Sequence, residues 1–516
     1  MKGFFFAAVV VASLCCGGAY AAPKEGGRIN LIVQPEPPGL MVGIYQNAPT
    51  KLVAGQIYEG LLRYNESLKP MPSLAKSWEI AQDGLTYTFH LQDGVTWHDG
   101  QPFSAADVLF SVNDFLMKTQ PRHRNIMEHV KSVIAPDDHT VIFEMKQPFD
   151  PFIRALGYGS MPMIPKHLYE GTNYNTNPNN DKPIGTGPFK FVEWKRGSFI
   201  KLAKNPSYYQ KTRPHLDEVF YYVIPDGASR AVAFETGKVD VLPGGAVENF
   251  DVPRLSKLAG ACMTDKGWEY NAPLSWLWFN VRRPPMNDVR FRQAVMYAVD
   301  RNFALDALWN GLGKVATGPI PTAVPFHKVL EPQYPYDPKR ARALLKEMGY
   351  NGTPVKLIPL PYGETWQRWA EAVKQNLEEV GIPVEIEAVD VPGWTQRNGS
   401  WDFDMTFTFF FQDADPAIGG ERAYKTSQIS KGSAFNNVGG YSNPEADRLF
   451  DEAAVAYPAK SRQDIYDKLQ VVLQKDVPVG WLLELTYPTI YKCKVKDLVT
   501  SANGVSDSLG DTYIDE

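Results

Sequence analysis

The stretch Leu74-Ala-Lys-Ser-Trp-Glu-Ile-Ala-Gln-Asp-Gly-Leu-Thr-Tyr-Thr-Phe-His-Leu-Gln-Asp-Gly-Val-Thr-Trp-His-Asp-Gly-Gln-Pro-Phe-Ser-Ala-Ala-Asp-Val108 is the most informative segment of this chain. Within it, Leu85 to Leu91 alternates apolar and polar residues, the period of a strand with one buried face. Asp93-Gly94 and Asp99-Gly100 are turn signals on either side of Val95-Thr96-Trp97. Ser104-Ala-Ala-Asp107 has the spacing of a capping box, in which the hydroxyl and the carboxylate each satisfy an orphan N–H of the first helical turn. It opens a helix whose apolar residues Val108, Leu109, Val112, Phe115 and Leu116 share one face.

Outward from this segment, strands are expected at Val141–Met145 and Val219–Val223. The second half alternates helices and strands more regularly. Asp288 can cap a helix carrying Ala294, Val295, Ala298 and Val299. Asp337-Pro338 places a cap and then proline at the first helical position, and Gly349 stops the run. A helix with Trp366, Trp369, Ala370, Val373, Leu377 and Val380 ends at Gly381 and Pro383, and Val384, Ile386 and Ala388 then alternate as a strand. Phe407–Phe411 reads as a buried strand, and further helices begin at Asn443-Pro444 and at a second capping box, Ser461-Arg-Gln-Asp464. This alternation argues an α/β lobe with a largely parallel sheet. The Asn-, Pro- and Gly-rich stretch Gly171–Gly187 reads as a surface loop or boundary.

The 516 residues correspond to three or four domain-sized units at about 150 residues each. With 44% hydrophobic and 22% charged residues the chain can bury a large core. A net charge of -5 offers no electrostatic footprint for nucleic acid or an anionic membrane face. Twelve Trp, 25 Tyr and 27 Phe suit either a core or an aromatic ligand pocket.

Met1-Lys2-Gly3, the apolar run Phe4–Cys16 and the small residues up to Ala22 describe a secretory signal peptide cut after Ala21, too short an apolar run for a spanning helix. Only Cys262 and Cys493 then remain. Export allows a disulfide between them, and two free buried cysteines are the equal alternative.

No Gly-x-Ser-x-Gly elbow, phosphate loop, His-Glu-x-x-His or Cys-x-x-Cys is present, and no cofactor or metal ligand set is legible. His98-Asp99 is a close His/Asp pair in a turn between strand signals, and a hydrogen-bonded turn histidine is the better reading there. The segment with binding character follows Trp401-Asp-Phe-Asp404: the apolar run Phe407–Phe411, then Gln412-Asp413-Ala414-Asp415-Pro416. A buried strand ending in carboxylates places charge at the sheet edge where open α/β folds bind ligands. A carboxylate there can hold an ammonium, or it can simply begin the turn before Pro416. Trp366, Trp369, Trp276 and Trp278 read as core. Trp394 and Trp401, beside the acidic segment, are the candidate pocket rings.

The quoted stretch resembles the signature of the family 5 solute-binding proteins, the large extracytoplasmic receptors of peptide, nickel and related ABC importers. Ile57–Leu61, Ile184–Lys190, Asn205–Tyr209, Phe234–Asp240, Asp288–Arg301, Tyr336–Tyr350 and Tyr441–Asp447 look like further family blocks. The resemblance implies an α/β, two-lobed periplasmic binding protein of type II, cluster C-like, with an extra domain inserted in lobe one. The core of lobe one is then 22–61, 180–270 and 488–516, the inserted domain 62–179, and lobe two 271–487, joined by a hinge of two strands. It implies a monomeric periplasmic receptor without enzymatic activity. Its partners are a small-molecule ligand, most often a di- or oligopeptide, and the ABC permease subunits; sugars, opines and metal chelates are the alternatives. In dipeptide and oligopeptide receptors an aspartate at the corresponding strand end pairs with the ligand ammonium. That makes Asp413 the candidate and Asp415 its rival, with Arg368 a candidate for the ligand carboxylate. Nickel receptors place a histidine after this strand, and none follows Phe411 here.

Overall fold

The computed structural model describes residues 23–515, so the expected signal peptide lies outside the described residues. Three sheets of four or more strands organise the chain. The first has seven strands in the order Ala261–Thr264, Thr489–Lys492, Val241–Leu242, Arg28–Val33, Glu218–Val223, Phe199–Lys204, Phe189–Lys195. Arg28–Val33 lies in its middle, parallel to both neighbours. The second has six strands: Gly313–Val315, Val479–Leu485, Leu274–Phe279, Met405–Phe410, Val355–Ile358, Val384–Ile386. The third is an antiparallel four-stranded sheet of Ala75–Ile80, Thr86–Leu91, Thr140–Met145 and Val130–Asp137. The first and second sheets form two lobes, the third sheet packing on the first through one shared apolar cluster.

The local expectations hold where short-range chemistry decides. The strand Thr86–Leu91 buries Tyr87, Phe89 and Leu91, and Ser104 caps the helix Ala105–Phe110 in a complete capping box with Asp107. Asp337 accepts from the Arg340 N–H, and Gly349 ends that helix in the left-handed region (φ 71°). Trp276, Trp278, Trp366, Trp369 and Phe407 lie in the core of the six-stranded sheet. Cys262, on the strand Ala261–Thr264, and Cys493, just beyond the end of the adjacent strand Thr489–Lys492, form a disulfide.

Three expectations are corrected. The second sheet is mixed: Leu274–Phe279 is antiparallel to both of its neighbours, and the parallel pairings are those of Val355–Ile358 with Val384–Ile386 and with Met405–Phe410. The parallel part is confined to strands joined by crossover helices, whereas the strands that enter and leave this sheet lie side by side and therefore run oppositely. Ser461 does not cap its helix. A short 3₁₀ turn already gives it helical dihedrals, and its hydroxyl donates to the Pro458 carbonyl instead. Finally, the end of Gly171–Gly187 is clamped rather than open. The Gly187 N–H donates to the Ile57 carbonyl, and a Cβ on Gly185 would sit 1.9 Å from that oxygen.

Two short segments pass between the first and second sheets, one after Thr264 and one after Leu485. They carry Trp268, Tyr270, Asn271 and Tyr487, and they are tied together by the Trp268 indole N–H donating to the Tyr487 carbonyl at 2.7 Å. Gly244 packs so closely against this crossing that a Cβ would meet that same carbonyl at 2.2 Å.

Candidate functional site

Met405–Phe410 sits in the interior of the second sheet and is almost wholly buried, as its apolar run requires. Its chain emerges at Phe411 on the wall of a cleft of about 1070 Å³, counted to its open mouth, between the two sheets. The cleft floor is the helix Ala48–Ala54, which Asn47 caps, and Lys51 projects from it. Tyr158, Trp268 and Tyr270 supply aromatic walls; Gln34, Gln46 and Asn271 supply amides.

Beyond Phe411 the chain turns sharply. Asp413 and Ala414 both occupy the left-handed region, at φ 48° and 64°. That conformation costs on the order of 1–2 kcal/mol for a residue with a Cβ. Backbone bonds to the crossing segment hold it: the Gln412 N–H donates to Asn271 (2.7 Å) and the Ala414 N–H to Tyr270 (2.8 Å). The turn sends the two carboxylates in different directions.

Asp415 is fully buried and bidentate with the equally buried Arg462, at 2.7 and 2.8 Å. The Ala417 N–H donates to it as well. Arg154 and Asp150, themselves paired at 3.1 Å, complete a four-charge cluster across the boundary with the third-sheet region, 3.5 Å from Asp415 and 3.4 Å from Arg462. Burial works against the Arg462 charge, and the Asp415 carboxylate and the Tyr466 hydroxyl together outweigh it, holding the guanidinium above its ordinary range. Asp415 is thus committed to structure.

Asp413, 5% exposed, accepts from Arg122 Nη1 at 3.2 Å and lies 3.7 Å from Arg422 Nη1. Burial pushes the Arg422 guanidinium down to about 9, and Arg122 pushes it the same way. Burial likewise lowers the Lys51 ammonium to about 8; Asp413 opposes that shift, and Arg122 and Arg422 add to it.

The other expected site residues lie elsewhere. Trp394 is 2% exposed, its indole donating to Thr406 Oγ1 at 3.0 Å, so it is core. Trp401 caps the preceding helix and stacks on Arg282, at the opposite end of Met405–Phe410 from Asp413. Arg368 is exposed and paired with Glu364 one helical turn away. None of the three lines the cleft. His98 is the hydrogen-bonded turn histidine expected: Nδ1 accepts from the Gly185 N–H and Nε2 meets the Gly187 carbonyl, while Asp99 turns to His167. Lys51, Arg122, Trp268 and Arg422 were not singled out by sequence reasoning, because only tertiary structure brings them together.

A cleft between two lobes, floored by a helix of one and walled in part by the other, is the architecture of a solute receptor, and comparison with known proteins agrees. Residues 69–431 match the family model described as bacterial extracellular solute-binding proteins, family 5 Middle. The chain belongs to that family. It is a substrate-binding protein of the ABC-transporter type and not an enzyme. A similar curated relative is the glutathione-binding protein GsiB of Pectobacterium atrosepticum, 28% identical over 451 residues covering 85% of this chain and 84% of that one. Among solved structures, the periplasmic binding protein DppA of Helicobacter pylori, in complex with the peptide STSA, superimposes with a TM-score of 0.83. It is 26% identical, with 96% of this chain and 99% of that one covered. AgaA from A. tumefacien R10, in complex with agropinic acid, gives 0.79 at 26% identity, covering 95% and 99%. Among the described residues no helix of this family 5 receptor is long and apolar enough to cross a membrane, and no cluster of three or more His, Cys, Asp or Glu could hold a metal ion.

Proposed function

We propose that this receptor takes a di- or oligopeptide into the cleft, closes its lobes around it and delivers it to the membrane subunits of an ABC importer. The observation that carries the peptide reading is the make-up of the cleft walls. Amide side chains of Gln34, Gln46 and Asn271 can pair with peptide groups, and Trp268, Tyr158, Tyr270 and Phe411 offer apolar faces to side chains. Relatives that bind glutathione and a tetrapeptide support it. Closure is a hinge motion about the crossing segments, and a ligand drives it by contacting both lobes. In this reading the chain is exported to the periplasm as a monomer, with lobes bounded as the sequence suggests.

A non-peptide solute is the second reading, favoured by the likeness to a receptor holding agropinic acid. A thermal-shift panel of glutathione, tri- and tetrapeptides, agropinic acid, a nickel–histidine chelate and sugars separates the two. A ligand at 100 times its dissociation constant stabilises by about 2.7 kcal/mol. Shifts from peptides support the proposal; shifts confined to the non-peptide solutes refute it.

A further inference from the structure

Among the described residues, only Lys51 and Lys266 are charged side chains on the cleft wall, and Lys266 is paired with Glu66 at 2.9 Å. Lys51 has no ion-pair partner. Arg122 and Arg422, behind the wall and electrostatically coupled to Lys51, both turn to the single carboxylate of Asp413. Arg422 lies against the Phe410 ring, 4.3 Å from its centroid, and its buried Nη1 has no hydrogen-bond acceptor. Three cations and one carboxylate leave two positive charges uncompensated at this corner. A buried donor without an acceptor and a lysine without a counter-ion are each costly to leave so. An incoming ammonium would add a fourth cation; an incoming anion at Lys51 would supply the missing counter-charge.

We infer that Lys51, backed by Arg122 and Arg422 behind the cleft wall, forms an anion subsite that receives a carboxylate of the ligand, and that Asp413 positions the two arginines instead of pairing with a ligand ammonium. Charge-assisted N–H···O bonds from guanidinium and ammonium groups to a carboxylate are the strong polar contacts of such sites. The inference rests on the cleft being the ligand site, and it deepens the peptide reading by naming which end of a peptide comes here. Selectivity then favours ligands with a free carboxylate, such as glutathione-like peptides or acidic peptides.

The test is isothermal titration of wild type, Lys51→Met and Arg122→Gln with trialanine, trialanine amide, N-acetyl-trialanine, glutathione and agropinic acid. The amide is expected to bind about thirtyfold or more weakly than the free acid, the usual scale for losing one partner of a buried charge pair. Acetylation is expected to change affinity less than about threefold, and both variants to shrink the acid–amide gap. If the amide binds as tightly as the acid, or acetylation alone abolishes binding, the inference is overturned while the peptide reading stands. If only agropinic acid binds, and more weakly to both variants, the peptide reading falls and the anion subsite stands. If agropinic acid binds all three proteins equally, the subsite falls too. Should no solute bind, acetate titration of the Lys51 resonance in ¹³C-dimethylated protein, assigned by its absence in Lys51→Met, decides. A pKa rising with acetate supports the subsite and an unmoved one overturns it.

Discussion

Removing Arg462 tests the division of labour between the two aspartates. In Arg462→Met, Asp415 keeps its carboxylate at zero exposure but loses two bonds of 2.7 and 2.8 Å. It retains the Ala417 N–H at 3.0 Å and Arg154 at 3.5 Å, and Arg154 is already engaged with Asp150. Stranding one partner of a buried pair costs about 3–5 kcal/mol. Removing both, in Arg462→Met with Asp415→Leu, leaves no stranded charge; it loses the Ala417 bond, about 1 kcal/mol, besides the Arg462 bonds to the Ala453 carbonyl and the Tyr466 hydroxyl that the single variant loses too. The double variant should therefore be more stable than the single, with a coupling energy of about 2 kcal/mol or more. Urea unfolding followed by tryptophan fluorescence measures all three proteins, equal m-values showing that the same transition is compared. An Arg462→Met protein within about 1 kcal/mol of wild type, or a double variant no more stable than the single, would refute the assignment of Asp415 to structure.

Further expectations follow from the same geometry. Arg368→Ala and Trp394→Phe should leave peptide affinity within about twofold of wild type by titration, because neither side chain lines the cleft; a tenfold loss in either would restore it to the site. Cys262→Ala with Cys493→Ala opens a link between strands 231 residues apart, and should lower stability by about 2–5 kcal/mol in denaturant titration; no change would show that strand pairing alone holds this edge. Burial lowers the His98 imidazole to about 4 against its ordinary 6.5. The unfolded chain therefore takes up a proton that the folded one refuses, and this share of stability is lost as pH falls from 6.5 towards 4. At pH 5 the loss is on the order of 2 kcal/mol. His98→Gln should show a correspondingly flatter fall between pH 7 and 5, and an identical fall would remove His98 as its source.

What could be read from the chain, and what could not, divides along the range of the forces. The strand at Thr86–Leu91, the capping box at Ser104, the stop at Gly349 and the place of the tryptophan pairs in the core depend on neighbours a few residues away. The emergence of an acidic turn from a buried strand was equally visible. That the two aspartates part, one to Arg122 and Arg422 and the other to Arg462, was not, because two successive left-handed residues turn the chain there, and nothing in Asp-Ala-Asp announces that. The anion corner draws on residues 51, 122, 413 and 422, three of them cations that look like ordinary surface charge in sequence. Trp394 and Trp401 are close to the acidic turn along the chain, but the six-residue strand Met405–Phe410 separates them from the end that emerges at the cleft wall.

Native mass spectrometry of the folded protein, incubated with free-acid tri- and tetrapeptides, glutathione, agropinic acid and a nickel–histidine chelate, tests the central claim most directly. One peptide retained per chain, and released with its mass unchanged, is the result expected of a peptide receptor. Retention of only a non-peptide solute, or release of a cleaved peptide, would contradict it.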